Sequence, residues 1–324
     1  MTKAIPIVLL LTLAQTVSLF AQVGVSDKVV NADRYPETKV NFPGGVIGLP
    51  KVTFYSPAGR AVWLDLYLPP RGRTDASPFI VYMHGGGWSG GTARTTGAFE
   101  DWPAVLASLA AKGYVVASVD YRLSGEAKFP AAVQDIKAAI RWMRKNAGTY
   151  GIDKGRGLVW GPSAGGHLAA LVGLSCGAAD LEPVNAPPES DCVQAVVGWY
   201  GIYDLALQNP PRPDSGLGRF LGCTQSGCSP DVVRSANPVS YVDPKDPPIL
   251  IIHGDADKTA SPQHSKTLDE VLKSKGIHSE LMMLPKIGHS WIGETHQATI
   301  DASRKALDRT FAFIDATIGG SHEK

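Results

Sequence analysis

Between residues 79 and 284 the chain repeats one alternation that limits its fold more than any other feature: short β-branched or apolar runs separated by helical stretches. The runs are Phe79–Met83, Tyr114–Val119, Gly157–Trp160, Ala195–Trp199, Ile249–Ile252 and Glu280–Leu284. A strand that is apolar along its whole length needs cover on both faces, which is the condition of a parallel sheet. The intervening stretches Phe99–Lys112, Ala131–Asn146 and Ala164–Leu174 carry apolar residues three and four apart, as at Ala132, Ile136, Ile140 and Met143, and read as amphipathic helices. An α/β fold with a mainly parallel sheet and helices on both faces follows. Upstream, Lys51–Tyr55 and Ala61–Leu68 flank Ser56-Pro57-Ala58-Gly59, turn chemistry that predicts an antiparallel entry hairpin. Residues 22–50 are polar and punctuated by Pro and Gly, and read as an extended arm. Residues 203–247 interrupt the alternation and are expected to pass over the sheet edge where ligands bind in such folds. No internal repeat or linker divides the chain, so 51–318 reads as one unit.

With 324 residues, 44% of them hydrophobic and 19% charged, the chain can bury a large core. Lys and Arg number 31 against 30 Asp and Glu, a net charge of +1, which argues against nucleic acid or an anionic membrane as partner. At the N-terminus Lys3 precedes an apolar run, Ala4–Phe20, that ends at Ala21-Gln22 and has the pattern of a secretory leader over residues 1–21. Pro6 and the Gln15-Thr16 pair interrupt the run, and it is short for a span of ~20 residues, so no stable membrane insertion is expected after cleavage. Export, to the periplasm or outside the cell, makes the four cysteines readable as disulfides. Cys176–Cys192 and Cys223–Cys228 are the expected pairs, because local bridges clamp exposed loops, although four cysteines allow three connectivities. Their spacings contain no C-x₂-C and no histidine lies close by, so zinc is not expected.

The residues that carry chemistry fall at strand ends. Gly161-Pro162-Ser163-Ala164-Gly165 has the form G-x-S-x-G between an expected strand and an expected helix. A serine on so tight a turn needs small residues two before and two after it, and the helix N-terminus favours negative charge beside its hydroxyl. His84-Gly85-Gly86-Gly87-Trp88 follows another strand, and its three glycines leave backbone N–H groups unshielded, as donors to a developing oxyanion must be. A phosphate-cradling loop would need G-x-x-x-x-G-K-[ST] or G-x-G-x-x-G with a downstream acid, and the chain has neither. His84 reads as a buried residue that orients this loop. A serine hydroxyl attacks only when a positioned base takes its proton. Among eight histidines His289, after the last strand, is best placed as that base, and Asp255 or Asp257, after Ile249–Ile252, as its carboxylate. Trp88, Trp199, Tyr200, Tyr203 and Trp291 are candidates to line the substrate pocket by stacking.

Taken together, His84-Gly-Gly-Gly-Trp88, Val119-Asp-Tyr-Arg-Leu123, Gly161-Pro-Ser-Ala-Gly-Gly166 and His253-Gly-Asp-Ala-Asp257 resemble the α/β-hydrolase esterases of the hormone-sensitive-lipase-like group. Within that group the resemblance is to the secreted bifunctional acetylxylan/feruloyl esterases, and it extends over roughly residues 50–318. It implies a triad of Ser163, His289 and Asp257, and an oxyanion hole of the Ala164 N–H with Gly86 or Gly87. It also implies a structural Asp120–Arg122 pair, no cofactor or metal, and a small-molecule or polysaccharide ester as substrate, acetyl or feruloyl. Pro162 and Ala260-Ser261-Pro262 depart from the pattern of that branch, where they bear on the pocket floor. A lipase or polyester-cleaving enzyme, a peptidase of the prolyl-oligopeptidase type and a non-catalytic binding protein are the competing functions that the same residues leave open.

Overall fold

The computed structural model describes residues 24–30, 39–208 and 211–319; the expected leader at 1–21 lies outside them. The first strands form the antiparallel end of a nine-stranded sheet. β1 (Val40–Phe42) and β2 (Val46–Tyr55) pair around Pro43-Gly44-Gly45, where Gly44 and Gly45 take φ of 75° and 79°, a backbone that glycine reaches without steric cost. β2 then pairs antiparallel with β3 (Val62–Leu68) across the expected turn. The arm expected over 22–50 therefore needs correction, since its last part is strand. Val46 is fully buried, while Pro50 falls where the β2–β3 register shifts between Leu49 and Val52, so a bulge absorbs the residue that makes this stretch read as irregular.

The remaining elements alternate: β4 (Ser77–Met83), α1 (Trp102–Ala111), β5 (Val115–Asp120), α2 (Ala131–Lys145), the short α3 (Ala147–Tyr150), β6 (Ile152–Pro162), α4 (Ala164–Leu174) and β7 (Ala195–Trp199). After α5 (Gly216–Leu221) and α6 (Pro230–Ser235) come β8 (Ile249–Gly254), α7 (Gln263–Ser274), β9 (Ser279–Leu284) and α8 (His296–Thr317). The strand order is β1-β2-β3-β5-β4-β6-β7-β8-β9, parallel from β5 to β9. Side chains of a strand alternate between faces, and each face here has its own core. Phe79, Val81 and Met83 of β4 join the cluster beneath α2, α4 and α7, while Ile80 and Tyr82 join the cluster beneath α1 and α8. All six expected strands are present. The helices α7 and α8 are additions to the expected set, hidden because their sequences are largely polar; Thr295, whose hydroxyl accepts from the Ala298 N–H, marks the start of α8.

Both expected cysteine pairs are bridged, Cys176 to Cys192 and Cys223 to Cys228. Below the larger bridged loop, the buried Lys137 of α2 binds Asp191 and the Ser175 carbonyl, and Arg144 donates to the carbonyls of Ser190 and Cys192, both at 2.6 Å. Among the described residues no helix is long and apolar enough to cross a membrane.

Candidate active site

Ser163 stands between the last residue of β6 and the first of α4 with φ 55° and ψ −121°, a strained conformation for a residue with a side chain. Its N–H donates to the Trp199 carbonyl at 2.8 Å, and its carbonyl accepts from the His167 N–H at 3.0 Å, so β7 and the first turn of α4 hold the backbone in place. The flanking glycines are required by close approach. A Cβ on Gly161 would collide with the Gly165 carbonyl, and one on Gly165 with the carbonyls of Met83 and His84.

Two loops at neighbouring strand ends complete a hydrogen-bonded chain. His289 follows β9; its Nε2 lies 3.0 Å from Ser163 Oγ and its Nδ1 2.7 Å from Asp257 Oδ2. Asp257 follows β8, and its other oxygen accepts from the N–H groups of Thr259 (2.7 Å) and Ala260 (2.9 Å). Burial alone would raise the Asp257 carboxyl, but hydrogen bonds from His253 and His289, the charge that His289 can carry and the Ala260 N–H outweigh it and hold the group well below the usual carboxylate range. Asp255, the alternative acid, instead accepts from the Lys286 N–H at 2.6 Å. His253 is a neighbour of the acid that the sequence does not disclose: its Nε2 lies 3.3 Å from Asp257 Oδ2 and 3.0 Å from the Ala260 carbonyl, and its Nδ1 meets Ser265 Oγ at 2.6 Å.

The glycine loop faces this chain. Gly86 and Gly87 have φ of 115° and 60°, and a Cβ on Gly86 would strike the Gly90 carbonyl. Among the described residues no protein acceptor takes the N–H of Gly86, Gly87 or Ala164, and all three residues share a cavity wall with Ser163. Beneath the loop His84 is buried, its Nδ1 2.7 Å from the Gly85 carbonyl and its ring stacked on Tyr121, and burial pushes its pKa down to about 4. Asp120 faces His84 at 3.9 Å, and burial raises its carboxyl to about 6. The expected Asp120–Arg122 pair is not formed. Arg122 binds the buried Asp135 of α2 instead, at 2.8 Å, because its side chain turns toward the helix packed against this face of the sheet.

The cavity holds about 440 Å³. Of the five aromatic candidates, Trp88 and Tyr200 line it, and Tyr200 sets its ring edge-on to His289 at 4.7 Å. Trp199, Tyr203 and Trp291 do not, a correction to the expectation; burial does not separate the two groups, since Tyr200 is as buried, and what differs is the neighbours each ring meets. Trp199 donates to Thr310 Oγ1 at 2.9 Å, the Tyr203 hydroxyl accepts from the Gly201 N–H, and Trp291 packs on Trp199 and Tyr200 beneath the His289 loop. Strand-end aromatics of this size fill the core, and nothing in residue type separates that role from a place in the wall. Val29 and Val30, from the stretch read as an arm, do reach the wall. A larger hollow, about 890 Å³ between the β2–β3 turn and residues 184–188, contains none of the reacting groups.

Comparison with known proteins places these observations. The BD-FAE family model matches residues 64–272. Esterase LipC of Mycobacterium tuberculosis is 34% identical over 236 residues, 71% of this chain and 56% of that protein. A truncated form of carbohydrate esterase from gut microbiota superposes with a TM-score of 0.66 at 28% identity, covering 86% of this chain and 100% of that one. The apo form of Thermogutta terrifontis esterase 2 gives a TM-score of 0.68 at 26% identity, over 88% and 97%. The chain spans about half the length of the curated relatives it matches. Since the family model covers more than half of the chain and takes in the glycine loop, the elbow and Asp257, the protein belongs to the BD-FAE family, on an α/β-hydrolase fold.

Proposed function

We propose that the protein is a serine carboxylic-ester hydrolase acting through an acyl-enzyme, and the observation that carries this reading is the continuous chain Asp257–His289–Ser163 set against unpaired backbone donors. Ser163 Oγ attacks the ester carbonyl carbon while its proton passes to His289 Nε2. Asp257 holds the Nδ1 proton and stabilises the imidazolium. The carbonyl oxygen, now an oxyanion, takes the N–H groups of Ala164 and of Gly86 or Gly87, each such donor typically worth ~2.7–4 kcal/mol in the transition state. Collapse breaks the bond to the alcohol, whose oxygen receives the proton from His289. Water, deprotonated by His289, then attacks the acyl carbon, and collapse breaks the bond to Ser163 Oγ, which takes the proton back from His289 as the acid leaves. Every proton and bond in the cycle is accounted for by these groups and water.

The acyl group is short or aromatic, acetyl or feruloyl, on a plant polysaccharide. The modest cavity with Trp88 and Tyr200 in its wall, the family match and the similarity to a carbohydrate esterase support this. The leader pattern and two disulfides support export. The test is to assay acetylated xylan, methyl ferulate and 4-nitrophenyl esters from acetate to palmitate with the parent and Ser163→Ala. Turnover by the parent that falls to background in Ser163→Ala, with acetate preferred to palmitate, is expected. Parental rates in Ser163→Ala would remove the serine mechanism, and a preference for palmitate would favour a lipase.

A further inference from the structure

Residues 24–30 run as a strap along residues 97–100, and its last two residues, Val29 and Val30, reach the wall of the catalytic cavity. The Glu100 N–H donates to the Gly24 carbonyl at 3.0 Å, the Ser26 N–H to the Ala98 carbonyl at 2.7 Å and the Val30 N–H to the Gly97 carbonyl at 2.8 Å. Val25 pairs antiparallel with Phe99 and is buried, and Asp27 contacts His296 at the start of α8 at 2.5 Å. These bonds hold the backbone, yet the side chains of Val29 and Val30 make no core; Val29 is 46% exposed and Val30 half-buried, and both line the cavity that contains Ser163. Exposed apolar side chains held by a fixed backbone at a cavity wall are suited to contact a ligand.

The end of the cavity that the strap lines can be identified by contact. Gly97, which binds Val30, sits where an added Cβ would lie 3.3 Å from the Tyr200 hydroxyl and 3.4 Å from the Ser290 carbonyl. Tyr200 packs on the His289 ring, and Ser290 is its chain neighbour. The strap thus borders the His289 end. On the reading of the site as an ester hydrolase, His289 Nε2 must hand its proton to the leaving oxygen, so the alcohol begins at that end. We propose that Val29 and Val30 select the alcohol portion of the ester: the N-terminal strap sets how bulky a leaving group fits beside His289, and the acyl group is chosen elsewhere in the cavity.

The experiment compares kcat/KM within each variant for a series of alkyl acetates, methyl to hexyl, and for 4-nitrophenyl esters, acetate to octanoate. The paired change Val29→Ala with Val30→Ala should raise the hexyl-to-methyl ratio on the order of tenfold, and Val30→Trp should lower it similarly, while the octanoate-to-acetate ratio moves by less than about twofold. Neither substitution removes a backbone hydrogen bond or a core side chain, so both variants are expected to fold. An unchanged alkyl ratio in both variants, or a shift confined to the acyl series, overturns the proposal while leaving ester hydrolysis intact. A parent that hydrolyses neither series overturns the ester reading and this assignment with it.

Discussion

At Asp257 two opposing forces act on one carboxylate, and the balance decides the chemistry of its neighbour. Burial favours the neutral acid, but the donors around it keep it ionised, so the proton on the shared contact belongs to His289 Nδ1 and leaves Nε2 free to accept from Ser163. Asp257→Asn tests this. The new amide oxygen can still accept from the Thr259 and Ala260 N–H groups, which turns the NH₂ toward His289 Nδ1 and forces the proton onto Nε2. A drop of about 10⁴ in kcat with little change in melting temperature is expected, the size that loss of the correct histidine tautomer produces in a Ser-His-Asp protease; a variant retaining a tenth of parental kcat would show that the tautomer is not what Asp257 controls. Ser163, His289 and Asp257 are legible in the sequence because each sits at a strand end in a glycine-marked motif. His253 is not, since its role depends on α7 presenting Ser265 and on the loop returning Ala260, neither of which leaves a pattern in the chain. The same limit explains Trp199, Tyr203 and Trp291.

The elbow is an element whose energy lies in what is missing from it. Gly165→Ala should destabilise the protein by about 3 kcal/mol or more, because the added methyl meets two backbone carbonyls that β4 and its loop hold fixed. Gly148→Ala in α3, where no atom lies within 4 Å of the new methyl, should stabilise it by about 0.4–1 kcal/mol. Urea denaturation of the two variants provides the check, and equal effects would rule out steric closure as the reason for Gly165. The two disulfides differ in the loop they close, a separation of 16 residues for Cys176–Cys192 and 5 for Cys223–Cys228. Replacing the first pair with serine should cost about 3 kcal/mol and the second less, since the entropy removed from the unfolded chain grows with loop length. A reversed order in denaturation midpoints would place the stabilisation in native contacts instead. Strands β4 to β8 are readable because burial on both faces writes an apolar run and the edge strand β9 by its Leu281–Leu284 stretch, whereas β1 and the start of β2 are hidden by the glycine turn and the Pro50 bulge that shape the sheet edge.

At the scale of the molecule, three histidines among the described residues share one condition. His84 under the oxyanion loop, His167 in α4 and His264 in α7 are each held down to about 4, from 6.5, with burial the largest cause. A depressed histidine is neutral in the fold and takes up its proton only when the chain unfolds. Its contribution to stability is therefore complete above pH 6.5 and is lost as pH falls toward 4, by about 1.4 kcal/mol per pH unit for each such group. Asp120 works in the other direction, because burial raises it to about 6 and the folded protein gains stability from its protonation as pH falls. The parent's acid sensitivity adds these opposing uptakes to those of the other shifted carboxylates, among them Asp191 and Asp257, held low, and Asp246, raised to about 7, so a single histidine is best isolated by subtraction. His167 accepts from the Trp88 indole N–H at 3.3 Å and lies 2.8 Å from the Ala236 carbonyl through Nε2, a pattern that a glutamine can reproduce without titrating. His167→Gln should be less stable than the parent at pH 7.5, where the imidazole packs best, and the gap should close by about 2–3 kcal/mol at pH 4.5, because the parent alone must keep a histidine uncharged. Urea midpoints measured at both pH values decide it. A gap that stays constant would mean that His167 titrates alike in the folded and unfolded chain, and that Trp88 and the loop beside Ser163 are not coupled to acid through α4.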